Sequence, residues 1–352
     1  MKKSHLILFA AALFCLAACD PTPDPENNTT AQTFVLNEGN WGGNDAEISV
    51  LNADSGTISN NYFSINNGRG LGDVAQDLAR YGSHLYAVVS YSNTVEVVDP
   101  ATGKSIKQIS LPGKTPRHIA FHNGKAYVSC YDKTIVRIDT ASLSVEAECP
   151  LSTMQAEELC ITDNRIFVCS AWQYAENGSV EYDNKVSVVD LNSFKEISSI
   201  TVGANPGKIR VLNTGNLIVN CDGNYTDDFG GLYLVNIANL TAQRKADALA
   251  QFDIYNGDIY GYSTSYDANW NATYRFVKIS TDNFAQTPIL QGAEHQFSST
   301  YYPYGINIDP ANGNIFLLAA AYGAQGDVIK YSPSGTRLWK AEAGFFPSKV
   351  IF

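Results

Sequence analysis

The sequence contains few of the side chains and motifs on which enzymes most often rely. It has only five histidines in 352 residues. There is no His-Glu-x-x-His motif, no Gly-x-Ser-x-Gly elbow and no phosphate-binding loop. The run from Gly68 to Gly72 has neither the spacing of a dinucleotide site nor a helix pattern after it. We therefore expect no enzyme activity, with no catalytic residues, no metal site and no cofactor.

Basic residues are also few. The chain has 24 Lys and Arg against 35 Asp and Glu, which gives a formal net charge of −11. It has no long basic stripe that would neutralise phosphates, so nucleic acid is not an expected partner.

Cysteines are scarce and lack the spacing of a metal site. Of seven in the chain, five lie beyond residue 19; they are Cys130, Cys149, Cys160, Cys169 and Cys221. An odd number cannot pair completely within one chain. Most of the five fall in strand-like runs, so we interpret them as small buried side chains and leave one disulfide open.

The N-terminus has the pattern of a bacterial lipoprotein signal. Lys2 and Lys3 precede an apolar run, and Leu16-Ala17-Ala18-Cys19 has the small residues and the cysteine of a lipoprotein cleavage site. We predict a signal peptide over residues 1–19 that ends at a lipidated Cys19. Residues 20–32 are rich in Pro, Asp, Asn and Thr, and so are predicted to form a flexible tether.

The predicted lipid anchor defines the expected location of the protein. The apolar run is too short to stay as a membrane-spanning helix, so the only expected contact with a membrane is through the lipid. Asp20, Asp24 and Glu26 beside Cys19 fit an export signal for the outer leaflet. We expect an outer-membrane lipoprotein that is exposed at the cell surface.

A repeat of about 40 to 52 residues runs through the rest of the chain. Its copies share a strand-like run, a final Asp, Asn or Ser, and a short polar turn. They are Glu47–Asn52, Val95–Asp99, Ile135–Asp139, Val186–Asp190 and Leu232–Asn236, with two degenerate copies at Arg275–Ser280 and Asp327–Ser332. This spacing is typical of four-stranded propeller blades, and no segment after the signal has a sustained helical period.

One complete repeat shows the expected strands of a blade. They are an inner strand at Arg117–Phe121, a second at Lys125–Cys130, a third at Thr134–Asp139 and an outer strand at Val145–Cys149. The C-terminal Pro347–Phe352 matches an inner strand whose three partners occur only near the start of the chain. The prediction is an all-β, seven-bladed β-propeller over residues 33–352 with antiparallel blades, closed by the C-terminal strand joining the three N-terminal strands.

Aromatic residues follow the second strand of every repeat. Together with those of two longer insertions, predicted as loops at residues 172–183 and 262–274, they form the candidate ligand-binding set Trp41, Tyr91, Tyr131, Trp172, Tyr174, Tyr225, Tyr266, Trp270 and Tyr322. In a propeller these loops emerge on the face where the inner strands begin. Arg117 and Lys208 enter inner strands on that face and complete the candidate site. Other polar or aromatic side chains expected there are Arg69, Asp73, Gln76, Glu157, Asn205, Gln251, Tyr302, Tyr304 and Lys349.

Two alternative interpretations remain open for these loops. Aromatic residues at blade ends often pack between blades, and about half of those that follow the seven second strands are expected to do so. The loop from Asp222 to Asp228 has the oxygen ligands that calcium prefers, but it lacks the final Glu of a helix-loop-helix calcium site, so a solvated acidic loop is favoured. The expected surface is an aromatic cup with few acid or base groups.

The repeats resemble a known family. The segment from Pro116 to Cys130, followed by Val136-Arg137-Ile138-Asp139, is similar to YncE-like seven-bladed propellers. On a short-tethered lipoprotein, the opening residues Val35 to Gly42 further resemble the surface cobalamin-binding propellers that partner outer-membrane corrinoid transporters.

This resemblance implies a function without bond making or breaking. The protein would bind cobalamin or a related corrinoid as a ligand and deliver it to a TonB-dependent outer-membrane transporter. The alternative is a glycan- or protein-binding platform, because aromatic surfaces also stack on sugars and on partner side chains. A propeller enzyme is the third hypothesis, which would need acid and base groups converging on the mouth.

Overall fold

The computed structural model describes residues 32–352, which form seven four-stranded antiparallel sheets in a ring. The predicted signal peptide, the predicted lipidation site Cys19 and nearly all of the predicted tether lie outside the described residues. Within residues 32–352, no helix has the length and apolarity needed to cross a membrane.

Each sheet is one blade, and its strands run in order from the axis outward. Blade 1 contains Pro347–Ile351, Thr33–Asn37, Glu47–Leu51 and Ile58–Ser59; blade 2 contains Ala75–Tyr81, His84–Val89, Thr94–Val98 and Ser105–Ser110. Blade 3 contains Pro116–His122, Lys125–Cys130, Thr134–Asp139 and Ser144–Pro150; blade 4 contains Ala156–Thr162, Arg165–Tyr174, Val180–Asp190 and Lys195–Thr201. Blade 5 contains Pro206–Val211, Leu217–Cys221, Gly231–Asn236 and Thr241–Ala246; blade 6 contains Gln251–Tyr255, Asp258–Tyr266, Ala272–Ile279 and Gln286–Pro288. Blade 7 contains Tyr301–Ile308, Ile315–Ala321, Ala324–Tyr331 and Arg337–Glu342; an α-helix at Tyr62–Asn67 and a 3-10 helix at Ala293–Gln296 complete the elements.

The ring closes as the sequence predicts. Pro347–Ile351 pairs antiparallel with Thr33–Asn37, and Val350 lies opposite Val35. Blade 1 is therefore shared by the two ends of the propeller, so the ring has no open edge at its junction. The seven-bladed all-β prediction is confirmed, and in blade 3 the predicted strand ends lie within one residue of the observed ones.

The two segments predicted as long loops are instead extensions of hairpins. In blade 4 the second and third strands stay paired out to Tyr174 and Val180. In blade 6 they stay paired out to Tyr266 and Ala272. Both segments are rich in aromatic and β-branched residues, which favour strands, and pairing satisfies their backbone hydrogen-bonding groups.

The apolar core lies between neighbouring blades. Between blades 1 and 2, Phe34 and Leu36 are buried in one cluster with Leu78 and Val89. Such clusters form because each sheet has two apolar faces, which only its neighbours can cover. The cysteines fit this core: all five in the described region are free thiols, and only Cys160 is not fully buried. The interpretation as buried side chains is confirmed, and the disulfide left open does not form.

A bulge at the start of the inner strand shapes the axis of the ring. In six blades, all except blade 6, the inner strand contains one residue more than the stretch of the second strand with which it pairs. The bulges follow a shared sequence pattern: a buried Pro or Ala, two variable residues, then an apolar residue in most blades. Examples are Pro116-Arg117-His118-Ile119 and Ala156-Glu157-Glu158-Leu159. The extra residue changes the strand's alternation, so that both variable side chains face the axis in most of these blades.

Polar side chains of the inner strands also join neighbouring blades. Asp77 of blade 2 accepts a hydrogen bond from the backbone N–H of Ile119 in blade 3. Glu158 of blade 4 accepts one from Ile209 in blade 5, and Asn307 of blade 7 accepts one from Val350 in blade 1. The polar residues at the axis therefore help to fix the ring as well as to line its centre.

Candidate functional site

An axial funnel opens on the face where the inner strands begin. Its volume is about 370 Å³, and half of its lining residues are the variable residues at the inner-strand bulges. Five carboxylates line it, Glu38, Asp77, Glu157, Glu158 and Asp222. Four cations, Arg117, Lys208, Arg210 and Lys349, share the wall with His118. Positive and negative charges are thus nearly balanced within one small cavity.

Arg117 is the centre of a buried network on one side of the funnel. Its Nε lies 3.1 Å from Glu157 Oε2, and its Nη1 donates to Gln76 Oε1 at 2.5 Å. The guanidinium lies 4.4 Å from the ring centre of Tyr131, whose hydroxyl donates to Glu157. Burial would lower the pKa of Arg117, but the charge of Glu157 raises it overall. The guanidinium is therefore held in one orientation before any ligand arrives.

Asp77 forms a second network at the base of the funnel. Lys349 Nζ lies 2.6 Å from Asp77 Oδ1, and His118 Nδ1 lies 3.5 Å from Asp77 Oδ2. Burial alone would raise the pKa of Asp77, but Lys349 and His118 hold it well below its ordinary value. The carboxylate therefore stays charged and acts as a fixed acceptor at neutral pH.

Glu158 and Glu38 show opposite responses to burial. Arg210 pairs with Glu158 and lowers the pKa of that carboxyl despite burial. Glu38 is also buried and accepts a hydrogen bond from Tyr304 Oη at 2.6 Å. No cation pairs with Glu38 among the described residues, and burial raises the pKa of its carboxyl. Glu38 and Asp222 are thus the two funnel carboxyls whose pKa is raised by burial.

Lys208 differs from the other cations of the funnel. Arg117, Arg210 and Lys349 each have a carboxylate partner. Within residues 32–352, Lys208 lines the funnel without an ion-pair partner. Burial raises the pKa of the nearby Asp222, and the charge of Lys208 opposes that rise. Lys208 is therefore the funnel cation best able to meet a negative group on a ligand.

The funnel contains more acid and base groups than the sequence suggested. The expectation of a cup with few such groups is wrong, because the bulges bring both residues of a consecutive pair to the axis. The two histidines of blade 3 are only partly buried, and His118 alone lines the funnel. In the part of the chain that the structure describes, no three His, Cys, Asp or Glu side chains are placed to share a metal ion.

The nine aromatic candidates form a rim around the funnel mouth, which we call the aromatic rim. Seven of them are exposed, including Trp41 at 79%, Trp270 at 78% and Tyr225 at 67%. Tyr131 and Trp172 are half-buried and contact each other with ring centres 6.0 Å apart. The expectation that about half would pack between blades is too high, since most of the rings reach solvent.

The nine rim residues do not all line the same cavity. Trp172 and Tyr225 line the axial funnel, whereas Tyr266 and Tyr322 line a second cavity between blades 6 and 7. The other five, Trp41, Tyr91, Tyr131, Tyr174 and Trp270, line neither cavity. Most still contact a rim neighbour; Trp41 and Tyr91, from blades 1 and 2, have ring centres 6.2 Å apart.

The other residues predicted at the same face, with Arg117 and Lys208, also lie in different places. Eight of them line the funnel: Gln76, Arg117, Glu157, Asn205, Lys208, Gln251, Tyr304 and Lys349. Tyr302 lines the second cavity instead. Arg69 and Asp73 line neither; Arg69 pairs with Glu96, and Asp73 accepts from the backbone of Gly42.

The acidic loop after the second strand of blade 5 binds its own backbone. Asn224 Oδ1 accepts from the N–H groups of Thr226, Asp227 and Asp228. Asp228 Oδ1 accepts from Gly230 N at 2.8 Å. These oxygens are used to shape a tight loop, whereas Asp222, the first residue of the predicted acidic loop, lines the funnel.

Five charged groups of the funnel were not predicted from the sequence: Glu38, Asp77, His118, Glu158 and Arg210. In a regular strand the second residue of a polar pair points away from the first. The bulges remove this alternation, so both side chains face the axis in blades 2, 3 and 4. The repeated Pro or Ala three residues before an apolar residue is the signal that could have located Asp77, His118 and Glu158.

Comparison with known proteins supports the fold and leaves the activity open. A family model described as a domain of unknown function, DUF5074, matches residues 31–352. No curated protein matches the chain. Among solved structures, a quinonprotein alcohol dehydrogenase-like protein from Bacteroides thetaiotaomicron VPI-5482 has a TM-score of 0.65 at 15% identity, covering 91% of this chain and 77% of that one.

Two further solved structures share the fold with this chain. Hydrazine synthase from Kuenenia stuttgartiensis has a TM-score of 0.58 at 15% identity, covering 73% of this chain and 76% of that one. Virginiamycin B lyase from Staphylococcus aureus has a TM-score of 0.51 at 15% identity, covering 77% and 84%. At such identities the likeness concerns the propeller fold alone.

Proposed function

We propose that this chain, which belongs to the DUF5074 family, is a surface lipoprotein that binds cobalamin or a related corrinoid. It does not convert the ligand chemically, and it delivers the ligand to a TonB-dependent outer-membrane transporter. The observation that carries the proposal is the combination of exposed aromatic side chains and a charge-balanced polar funnel on one face. Seven of the nine rim aromatics are exposed. Exposed clusters of this kind commonly mark binding surfaces.

The chemistry of the funnel suits a ligand that is polar yet close to neutral. Corrinoids have many amide arms, each of which can donate and accept hydrogen bonds. The funnel offers donors on Lys208 and Arg210 and acceptors on Asp222 and Glu157. Because its charges nearly balance, a strongly charged ligand would gain less from this site than an amide-rich one.

The size of the funnel places the ligand across the mouth. A corrinoid is too large to enter a cavity of about 370 Å³ completely. In the proposed complex its macrocycle lies over the mouth, where Trp172 and Tyr225 stand at the edge of the funnel. The amide arms on the lower side reach the polar groups, and the phosphate of the nucleotide loop meets Lys208.

Binding without catalysis is supported by how the charged groups are used. Asp77 is occupied by Lys349 and by the N–H of Ile119. Glu158 is similarly occupied by Arg210 and the N–H of Ile209. Groups held in this way provide fixed hydrogen-bonding positions and lose little entropy when a ligand binds.

The lipid anchor and the transporter partner rest on the sequence. The cleavage pattern at Cys19 supports anchoring in the outer membrane. Delivery to a transporter rests on the resemblance to YncE-like cobalamin-binding propellers. Radiolabelled acetate or palmitate incorporated into the wild-type protein, and absent from Cys19→Ala, tests the anchor separately from the ligand.

Mixing the protein with cyanocobalamin and removing free ligand by desalting tests the ligand. We expect red colour retained at about one equivalent, with absorbance that titrates to saturation at micromolar concentration or below. Lys208→Ala should weaken binding of cobalamin while leaving the fold unchanged. Loss of all colour on desalting, with no saturation in equilibrium dialysis, would contradict the corrinoid proposal.

A glycan-binding platform is the second candidate. It is favoured by the exposure of Trp41 and Trp270, since aromatic rings at 79% and 78% exposure can also stack on sugar rings. A glycan array with the same protein distinguishes the two. Saturable sugar binding that is lost in Trp41→Ala or Trp270→Ala, together with no cobalamin binding, would favour this candidate.

A further inference from the structure

A second cavity lies beside the funnel, between blades 6 and 7. Its volume is about 200 Å³, and its wall includes five tyrosines, which are Tyr262, Tyr266, Tyr274, Tyr302 and Tyr322. Ala250, Thr264, Ala272, Ser299 and Pro303 complete the lining. We call this cavity the tyrosine slot. None of its lining residues is charged, which separates it sharply from the funnel.

Regular strand alternation in blade 6 builds one wall of the slot. Tyr262, Thr264 and Tyr266 are spaced two residues apart on the second strand, so their side chains share one face. On the neighbouring strand, Tyr274 lies opposite Thr264 and Ala272 lies opposite Tyr266. The small side chain of Ala272 opposite a large ring leaves space, which a flat group could fill.

The hydroxyls of the inner tyrosines are already used. Tyr262 Oη donates to the carbonyl of Pro303 at 2.8 Å, and Tyr274 Oη donates to the carbonyl of Ser298 at 3.2 Å. These bonds hold both rings in place, so that their faces and edges line the slot in fixed positions. At the entrance, Tyr266 and Tyr322 are 60% and 67% exposed.

The volume and lining of the slot define the chemistry of an occupant. A cavity of 150 Å³ lined by apolar side chains is large enough for benzene, so about 200 Å³ has room for a substituted or bicyclic aromatic ring. Rings of tyrosine favour flat aromatic partners in offset or edge contacts. A charged group would be desolvated there without an opposite charge, which is unfavourable.

The slot and the funnel adjoin each other on the same face. Tyr302 of the slot contacts Tyr304 of the funnel with ring centres 6.2 Å apart. Tyr302 also contacts Tyr322, with ring centres 5.5 Å apart. One ligand with a polar body and a flat aromatic appendage can therefore occupy both cavities at once.

We infer that the tyrosine slot is a separate binding site for one flat, uncharged aromatic ring, and that in a bound corrinoid it holds the base of the nucleotide loop. The second half of this inference rests on the proposed function. The slot would then make the protein discriminate between complete corrinoids and those without a nucleotide loop, while the funnel and the rim residues outside the slot bind the part that both share.

The test compares cyanocobalamin with dicyanocobinamide, which has the same macrocycle but no nucleotide loop. The wild type should bind cobalamin roughly tenfold or more tightly than cobinamide, since each aromatic contact contributes about 1 kcal/mol and 1.4 kcal/mol is tenfold. In the double variant Tyr266→Ala/Tyr322→Ala the ratio of the two affinities should fall, and only the preference that comes from the contact between the phosphate and Lys208 should remain. The affinity for cobinamide should be unchanged. Tyr91→Ala, on a rim tyrosine that lines neither cavity, should leave the ratio as in the wild type.

The remaining outcomes distinguish a failure of the slot inference from a failure of the proposed function. Equal affinities for the two corrinoids in the wild type, or an undiminished ratio in the double variant, would overturn the slot inference and leave corrinoid binding intact. If neither corrinoid binds, the proposed function fails, and benzimidazole alone tests the slot by ligand-observed NMR. Saturation transfer to benzimidazole in the wild type that disappears in the double variant would support the slot; none in the wild type would overturn it.

Discussion

The axial funnel and the tyrosine slot are neighbours on one face, yet they are built in opposite ways. The funnel takes pairs of consecutive residues from bulged inner strands, and charged groups dominate its wall. The slot uses the regular alternation of blade 6, the blade without an inner-strand bulge, and no charged residue lines it. Strand geometry therefore decides which kind of side chain reaches each cavity.

The two cavities therefore have different roles: the funnel supports both the fold and the ligand, and the slot supports mainly the ligand. The funnel contains interlocked ion pairs whose loss affects both the fold and the ligand. The slot contains exposed rings at its entrance whose loss affects little besides binding. Substitutions in the two regions should therefore differ in their effects, and the largest difference is expected at the buried ion pairs.

Arg117→Ala should destabilise the propeller by about 3–5 kcal/mol, because it leaves Glu157 buried without its partner. The side chains of Arg117 and Glu157 are only 14% and 11% exposed, so solvent cannot replace the lost contact. Tyr322→Ala, at the exposed entrance of the slot, is the matched control and should cost less than about 1 kcal/mol. Urea denaturation followed by circular dichroism measures both; similar values for the two variants would refute the contrast.

Gly305→Ala should destabilise the fold by about 1–3 kcal/mol through overpacking at an inner-strand bulge. A methyl group there would collide with the carbonyl oxygen of Ser348 and lie 2.9 Å from Leu318 Cδ1. The control is Gly207→Ala at the bulge of blade 5, where the nearest atom is Asp222 Oδ2 at 3.4 Å. Thermal unfolding should show a clear decrease in Tm for Gly305→Ala and almost none for Gly207→Ala. Equal decreases would show that the tight contact at Gly305 is unimportant.

Trp172→Ala should weaken cobalamin binding by about 2 kcal/mol, since this half-buried ring stands at the edge of the funnel and packs against Tyr131 and Tyr174. Trp41→Ala should cost less than about 1 kcal/mol, because that ring is 79% exposed and lines neither cavity. Spectrophotometric titration gives both affinities. A larger loss of affinity in Trp41→Ala than in Trp172→Ala would show that the ligand binds farther from the axis than we propose.

Glu38 should make the stability of the funnel depend on pH. Burial raises the pKa of its carboxyl from the ordinary 4.5, so the fold favours the neutral form. The stability that this neutral form contributes is complete below pH 4.5 and is lost as pH rises through the raised pKa, by at most about 1.4 kcal/mol per pH unit. Glu38→Gln keeps an acceptor for Tyr304 and cannot ionise.

The free energy of unfolding of wild type and Glu38→Gln, measured from pH 4.5 to pH 8, tests this. The variant should gain stability relative to the wild type as pH rises. A constant difference across the range would show that Glu38 does not change its charge there. Asp77, whose pKa is lowered, contributes in the opposite direction and only at lower pH.

The sequence predicted the fold because the relevant signals are local. Hairpin turns such as Asn123-Gly124, and alternating runs such as Thr134–Asp139, identify strands and their order. The sharing of blade 1 followed from counting incomplete repeats. The rim was predicted by position for the same reason, since aromatic residues follow each second strand.

The interior of the funnel could not be predicted in this way. The residue pairs at Asp77, His118 and Glu158 depend on a register shift between strands, which is a property of pairing. The slot depends on blade 6 packing beside blade 7, where Tyr262 reaches the carbonyl of Pro303. Contacts between blades are set by the whole ring, so a pattern read one repeat at a time does not contain them.

Crystals of the protein grown with cyanocobalamin offer the most direct measurement, because cobalt gives an anomalous signal that marks the position of the macrocycle. We predict one cobalt peak over the funnel mouth near Trp172 and Tyr225, with the nucleotide base between Tyr266 and Tyr322. A cobalt peak on the outer strands or on the opposite face, or none at saturating cyanocobalamin, would contradict corrinoid binding at this face.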